Sequence, residues 1–246
     1  MSLAANLARI RQQIADACRR AHRADSEVAL MAVSKMHPAE AIMEAYAAGQ
    51  RLFGENRVQE WQEKLPALQH LFTATRSDSP AAQAHLIGPL QSNKTTKAAE
   101  LFAAIDAVDS LKIATRLNTA ASALNKRLPI LIEVKLSHEE SKHGIAPAEL
   151  PTLLAALAPL ESLIPYGLMT VPPWSGPDDA ETARPYFREL RRLRDAALPA
   201  CPTLTQLSMG MSNDFAVAIE EGSTCVRIGT AIFGKRRYPA AEPAPE

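Results

Sequence analysis

The sequence predicts an α/β fold, a single (β/α)8 TIM-type barrel with an extra N-terminal helix. Short apolar runs alternate with amphipathic segments along the chain, the pattern of a parallel sheet crossed by helices. The runs number about eight, the count that closes such a sheet into a barrel, and the 246-residue length suits a fold that typically takes about 250 residues. An open doubly wound sheet is the alternative, and the lack of a G-x-G-x-x-G after the first strand weakens its dinucleotide-binding version. No linker splits the chain, so residues 1–238 are assigned to the barrel and the Pro- and Ala-rich residues 239–246 to a disordered tail.

A first helix is expected over 3–23, because Leu7, Ile10, Ile14 and Cys18 recur at three- and four-residue steps and share one face. Strands follow at 28–34, 52–54, 85–88, 104–108, 130–134, 164–169, 204–208 and 226–229, each a short apolar run. Between them, helical segments are expected at 39–48, 58–68, 93–102, 110–126, 148–157, 178–197 and 213–221. The polar, small and proline-containing stretch 73–83 reads as a surface loop.

Composition narrows the function. Lysine plus arginine equal aspartate plus glutamate at 27 each, so no basic excess points to nucleic acid or an anionic membrane. Cys18, Cys201 and Cys225 are odd in number and far apart, with no C-x-x-C pair; this argues against a disulfide framework or a zinc site and suits a reducing cytoplasm. The N-terminus lacks a basic start followed by an apolar core, and charges interrupt every long apolar stretch. Neither a signal peptide nor a membrane span is expected.

Lys35 is the residue that invites chemistry. It closes the run Val28-Ala29-Leu30-Met31-Ala32-Val33-Ser34-Lys35, where a buried strand has no use for a charge unless the amine finds a partner. An ordinary lysine there snorkels to solvent; a lysine that bonds a carbonyl cofactor is the sharper alternative. In a barrel, active sites form at the C-terminal mouth and the exits of strands seven and eight commonly cradle phosphate. Ser208, Gly210 and Ser212 at one exit, and Gly229 and Thr230 at the other, supply hydroxyls and small residues for such a cradle. Ser212 alone could equally be a helix N-cap. Arg227, inside an apolar strand, must find an acceptor in or near the mouth. His85 is read as a packed, hydrogen-bonded residue, Glu55 is assigned no acid–base role, and Met209 and Met211 are read as apolar walls.

Several longer motifs carry a resemblance. They are Ala32-Val33-Ser34-Lys35 with Pro38; Phe53-Gly54-Glu55-Asn56-Arg57-Val58-Gln59-Glu60; His85-Leu86-Ile87-Gly88-Pro89-Leu90-Gln91-Ser92-Asn93-Lys94; Ser141-Lys142-His143-Gly144-Ile145; Gly167-Leu168-Met169; Leu207-Ser208-Met209-Gly210-Met211-Ser212; and Val226-Arg227-Ile228-Gly229-Thr230-Ala231-Ile232-Phe233-Gly234. In this order, over residues 28–236, they resemble the pyridoxal phosphate homeostasis family, whose fold is similar to the N-terminal barrel of alanine racemase.

The resemblance implies pyridoxal 5′-phosphate (PLP) as cofactor, held as a Schiff base on Lys35 and released or passed on. It implies phosphate contacts from Ser208, Ser212, Gly229 and Thr230, Arg227 facing the pyridine nitrogen, and Asn56 near the ring. An arginine there keeps that nitrogen unprotonated and weakens the cofactor as an electron sink. Lys142 matches a family lysine that could serve as a transfer point. PLP-dependent apoenzymes are the implied partners, and a monomer is expected because the racemase dimerisation domain has no counterpart.

No residue is assigned catalysis and no metal is expected. Amino-acid racemase is the alternative, disfavoured because a racemase needs two opposed bases and none of Tyr46, Tyr166, Tyr186 and Tyr238 matches the context of the racemase tyrosine. A barrel that binds another phosphorylated ligand non-covalently explains the cradle but not the set of motifs. The sequence departs from the family at Met36-His37, on the rim, and at Lys135, where asparagine is commoner.

Overall fold

In the computed structural model, which describes residues 2–73, 81–137, 139, 143–174, 176 and 179–234, eight parallel strands form one closed barrel in chain order. They are β1 (Ala29–Val33), β2 (Leu52–Glu55), β3 (Gln83–Leu86), β4 (Ala104–Val108), β5 (Leu128–Glu133), β6 (Leu163–Met169), β7 (Gln206–Ser208) and β8 (Cys225–Ile228). The seam closes between β1 and β8, where Met31 stands opposite Arg227. Inside the barrel, Gly54 of β2 leaves room for Met31: a Cβ there would lie 2.7 Å from the methionine sulfur.

The helices are α1 (Leu3–Arg20), α2 (Ala39–Ala47), α3 (Val58–Phe72), α4 (Thr95–Leu101), α5 (Leu111–Ala123), α6 (Leu150–Leu157), α7 (Arg184–Ala197), α8 (Phe215–Glu220) and α9 (Thr230–Phe233). Most of the core lies between this outer layer and the sheet, with Trp61, Phe53, Phe102 and Phe187 fully buried. The added helix α1 is capped by Ser2, whose side chain accepts from the Ala5 N–H. It buries Leu7, Ile10, Ile14, Ala17 and Cys18 and packs on α8 and α9, across the outside of the closing seam.

The differences from the sequence reading are at the ends of elements. Helix α1 stops at Arg20 rather than residue 23, because His22 takes a left-handed φ of 54° and the Arg23 N–H turns back to the Cys18 carbonyl, a common helix stop. Asn125, at φ 50°, ends α5 early in the same way. Helix α7 starts at Arg184, later than expected, with Pro185 in its first turn, where a proline's missing N–H costs nothing. Helix α8 starts at Phe215 rather than residue 213, and the short α9 was not expected. Residues 74–80, Lys142, and the tail with the last barrel residues from 235 lie outside the described residues. Among the described residues, no helix is long and apolar enough to cross a membrane.

Candidate functional site

The strand exits meet in a cavity of about 550 Å³ at the C-terminal mouth. It collects Lys35 from beyond β1, Asn56 from beyond β2, Arg227 from β8, Gly229 and Thr230 from the β8 exit, and Ser212 from beyond β7. Six of the seven expected site residues therefore line one space. The seventh, Ser208, does not. It is fully buried on β7, and its Oγ accepts a hydrogen bond from Arg227 Nη1 at 2.7 Å. Its hydroxyl is thus engaged by the arginine, and Ser208 is not among the cavity-lining residues.

Arg227 is almost fully buried. Its Nη2 donates to the Thr170 carbonyl at 2.8 Å; the remaining N–H groups, Nε–H among them, have no partner among the described residues, and the side chain lines the cavity. Burial lowers the guanidinium pKa, opposed by the charges of Cys225, Asp106, Glu133 and Asp214; a guanidinium nevertheless stays charged in a protein. The mouth thus holds an oriented guanidinium with N–H groups left for an acceptor.

Lys35 lies two residues past the end of β1 and is half-buried. Its turn is closed by the His37 N–H donating to the Ser34 carbonyl at 3.1 Å, with Met36 in the left-handed region at φ 62°. The His37 ring stacks on Phe233 of α9, centroids 5.0 Å apart, so the first and last exits are joined at the rim. Asn56 is held by close backbone approach: a Cβ on Gly88 would come within 2.4 Å of the Asn56 carbonyl oxygen.

At the β7 exit, the Met211 N–H donates to Asp214 Oδ1 at 2.5 Å. Asp214, not Ser212, is the residue before α8, so the Ser212 hydroxyl is not used as a cap. Neither it nor the Thr230 hydroxyl has a hydrogen-bond partner among the described residues, and both line the cavity. Burial raises the Asp214 pKa, opposed by the Met211 N–H and by Arg227.

The structure adds lining residues to which the sequence reading gave no ligand-binding role. Glu133, the last residue of β5, together with His37, His143, Asp214, Val171, Pro173 and Trp174, lines the cavity. Glu133 was within reach of a strand argument: with Leu131 it keeps the inward phase of β5, and the strand ends there. Lys135, singled out instead, lies beyond that end, gives its N–H to the Ile145 carbonyl, and is not among the lining residues. His85 is packed as expected, its Nδ1 within 3.3 Å of Asp106 Oδ2. Among the described residues no group of three or more His, Cys, Asp or Glu side chains could hold a metal ion.

Residues 5–237 match the family described as alanine racemase, N-terminal domain. The chain is 43% identical over 240 residues to the pyridoxal phosphate homeostasis protein of Pasteurella multocida, covering 97% of this chain and 99% of that one. It is 44% identical over 242 residues to the protein of the same name from Escherichia coli K12, covering 96% and 97%. Among solved structures, PipY of Synechococcus elongatus with PLP bound is similar at a TM-score of 0.81 and 40% identity, covering 95% of this chain and 100% of that chain. An alanine racemase from Clostridium difficile matches at a TM-score of 0.68 with 14% identity, over 98% of this chain and 58% of its own length. That last likeness is one of fold.

Proposed function

The chain belongs to the pyridoxal phosphate homeostasis proteins, within the alanine racemase N-terminal domain family, and from this we propose that it binds PLP in the barrel mouth, holds it reversibly on Lys35, and releases or transfers it to apoenzymes. The observation that carries this reading is the single cavity shared by a primary amine, a buried arginine with an N–H to give, and two unengaged hydroxyls beside small residues. That donor set fits the three parts of PLP.

When bound, the cofactor supplies an aldehyde, with which a lysine amine condenses to form a carbon–nitrogen double bond with release of one water. Lys35 presents that amine. Arg227 Nε–H suits an unprotonated ring nitrogen, and the Ser208 and Thr170 bonds fix its direction. Ser212 and Thr230 would hold the phosphate through hydrogen bonds from their hydroxyls, with Gly229 allowing close approach. Asn56, which lines the same cavity, would lie beside the ring. Lys142, outside the described residues, is kept as a transfer point for the cofactor.

A carrier role is favoured over racemisation. Tyr166, on the barrel strand β6, gives its hydroxyl to Asp106 Oδ1 at 3.1 Å and is not among the residues lining the cavity. The three cysteines are free, in keeping with a reducing cytoplasm. The protein is taken to act as a monomer.

Borohydride reduction of the PLP-loaded protein followed by peptide mapping tests the proposal. The expected result is one pyridoxyl adduct, on Lys35, absent from Lys35→Ala. An adduct of equal yield in Lys35→Ala would overturn the anchor, and sustained racemisation of alanine or serine would overturn the carrier role.

A further inference from the structure

The turn that carries Lys35 is fastened from behind the cavity by a buried charged network. Glu55, at the end of β2, is fully buried; its Oε1 accepts from Ser34 Oγ at 2.7 Å and from Lys64 Nζ of α3 at 2.9 Å. Lys64 Nζ also donates to the Ser34 carbonyl at 3.0 Å and to Glu60 Oε1 at 2.7 Å. Glu60 Oε1 in turn accepts the Met36 N–H at 2.5 Å. The residues on both sides of Lys35 are therefore tied to one ammonium group, and none of Glu55, Glu60 and Lys64 lines the cavity.

Stability alone is a poor reason for this arrangement. A buried ion pair seldom outperforms well-packed apolar side chains, and Glu55 Oε2 is buried with no partner. Met36 is also held at φ 62°, a left-handed conformation that is unfavourable for a non-glycine residue and persists where surrounding structure over-determines it. The network supplies that over-determination at the residue next to the amine.

Resting on the Lys35 reading above, we propose that Glu55, Lys64 and Glu60 are positioning residues, which aim the Lys35 amine at its aldehyde without touching the ligand. Lys64 is the hub. Glu55 fixes Ser34 from the strand side, and Glu60 fixes Met36 from the helix side.

The test separates capture by Lys35 from occupation of the cavity. Lys64→Met, Lys64→Arg, Glu55→Gln and the partly exposed Glu60→Gln are compared with the wild type for the rate of borohydride-trappable bond formation with PLP, and for that rate's pH profile. Pyridoxamine 5′-phosphate, which has an amine in place of the aldehyde, measures the cavity alone. The expected result is capture slowed by roughly tenfold or more in Lys64→Met, the scale on which small misplacements act, and a shifted pH profile. Pyridoxamine phosphate affinity should stay within about twofold, since the binding groups are untouched, and Lys64→Arg should recover part of the rate. Should Glu55→Gln and Lys64→Met fail to fold, Glu60→Gln carries the test. Unchanged capture in every folded variant, or parallel loss of capture and of pyridoxamine phosphate binding, would overturn the proposal. Failure of the wild type to form any adduct on Lys35 would instead overturn the function proposed above, and this inference with it.

Discussion

Arg227 Nη1 donates to Ser208 Oγ across 2.7 Å, between the adjacent barrel strands β8 and β7. Together with the Nη2 bond to the Thr170 carbonyl, the contact sets the guanidinium's direction. Ser208→Ala leaves a buried charged donor short of its acceptor, a loss that typically costs about 1–3 kcal/mol. Denaturant unfolding should show a fall of that size, together with weaker PLP binding, although Ser208 does not line the cavity.

The two tryptophans stand in opposite environments. Trp61 is fully buried, edge-on to Phe72 with centroids 4.9 Å apart, whereas Trp174 is 76% exposed and lines the cavity mouth. Loading PLP should therefore quench part of the emission, namely the component at longer wavelength that an exposed indole gives. Trp174→Phe should abolish that quenching and leave the Lys35 adduct in place, as read by titration with fluorescence and mass spectrometry side by side.

The barrel was legible because both of its signals are local. Apolar runs such as 104–108 and 130–134 fall almost on β4 and β5, and the count of eight needs no tertiary information. The ends of elements were not, since the left-handed residues His22 and Asn125 lack the glycine that would have marked them. At the site, position at a strand exit pointed to Lys35 and Thr230, a charge inside an apolar strand to Arg227, and the family resemblance to Asn56; all four line one cavity. Ser208 shows the limit of that argument: whether a hydroxyl faces ligand or serves a neighbouring arginine depends on a side chain 19 residues away. The Glu55–Lys64–Glu60 network was missed for the same reason, its members being joined only when α3 folds back on the β1 and β2 exits.

Asp214 gives the stability a pH dependence of known sign. Burial raises its pKa above the ordinary 3.8, against the lowering effects of the Met211 N–H and Arg227, so the folded state binds the proton more tightly than the unfolded chain does. Its contribution is complete below about pH 3.8, the unfolded value, and is lost as pH rises through the folded pKa. Asp214→Asn keeps a side-chain oxygen for the Met211 N–H and removes the buried charge. The variant should be more stable than the wild type at pH 7, and the gap should shrink as pH falls toward 4. Urea midpoints at several pH values measure it, and a gap that widens toward acid would contradict the assignment.

Gly88 tests whether Asn56 is placed by backbone packing. A Cβ at residue 88 would sit 2.4 Å from the Asn56 carbonyl oxygen and 2.9 Å from its Cα, and neither atom can swing away as a side-chain tip could. Gly88→Ala must push the β2 and β3 exits apart, an overpacking that commonly costs about 1–3 kcal/mol. Because Asn56 lines the cavity and Gly88 does too, the displacement falls on the ligand side, and affinity for pyridoxamine 5′-phosphate should drop along with stability. Gly176→Ala is the comparison, since a Cβ there meets nothing within 4 Å and should change stability by no more than about 0.5 kcal/mol. If Gly88→Ala proves as stable and as tight-binding as Gly176→Ala, the close approach of the two exits does not position Asn56.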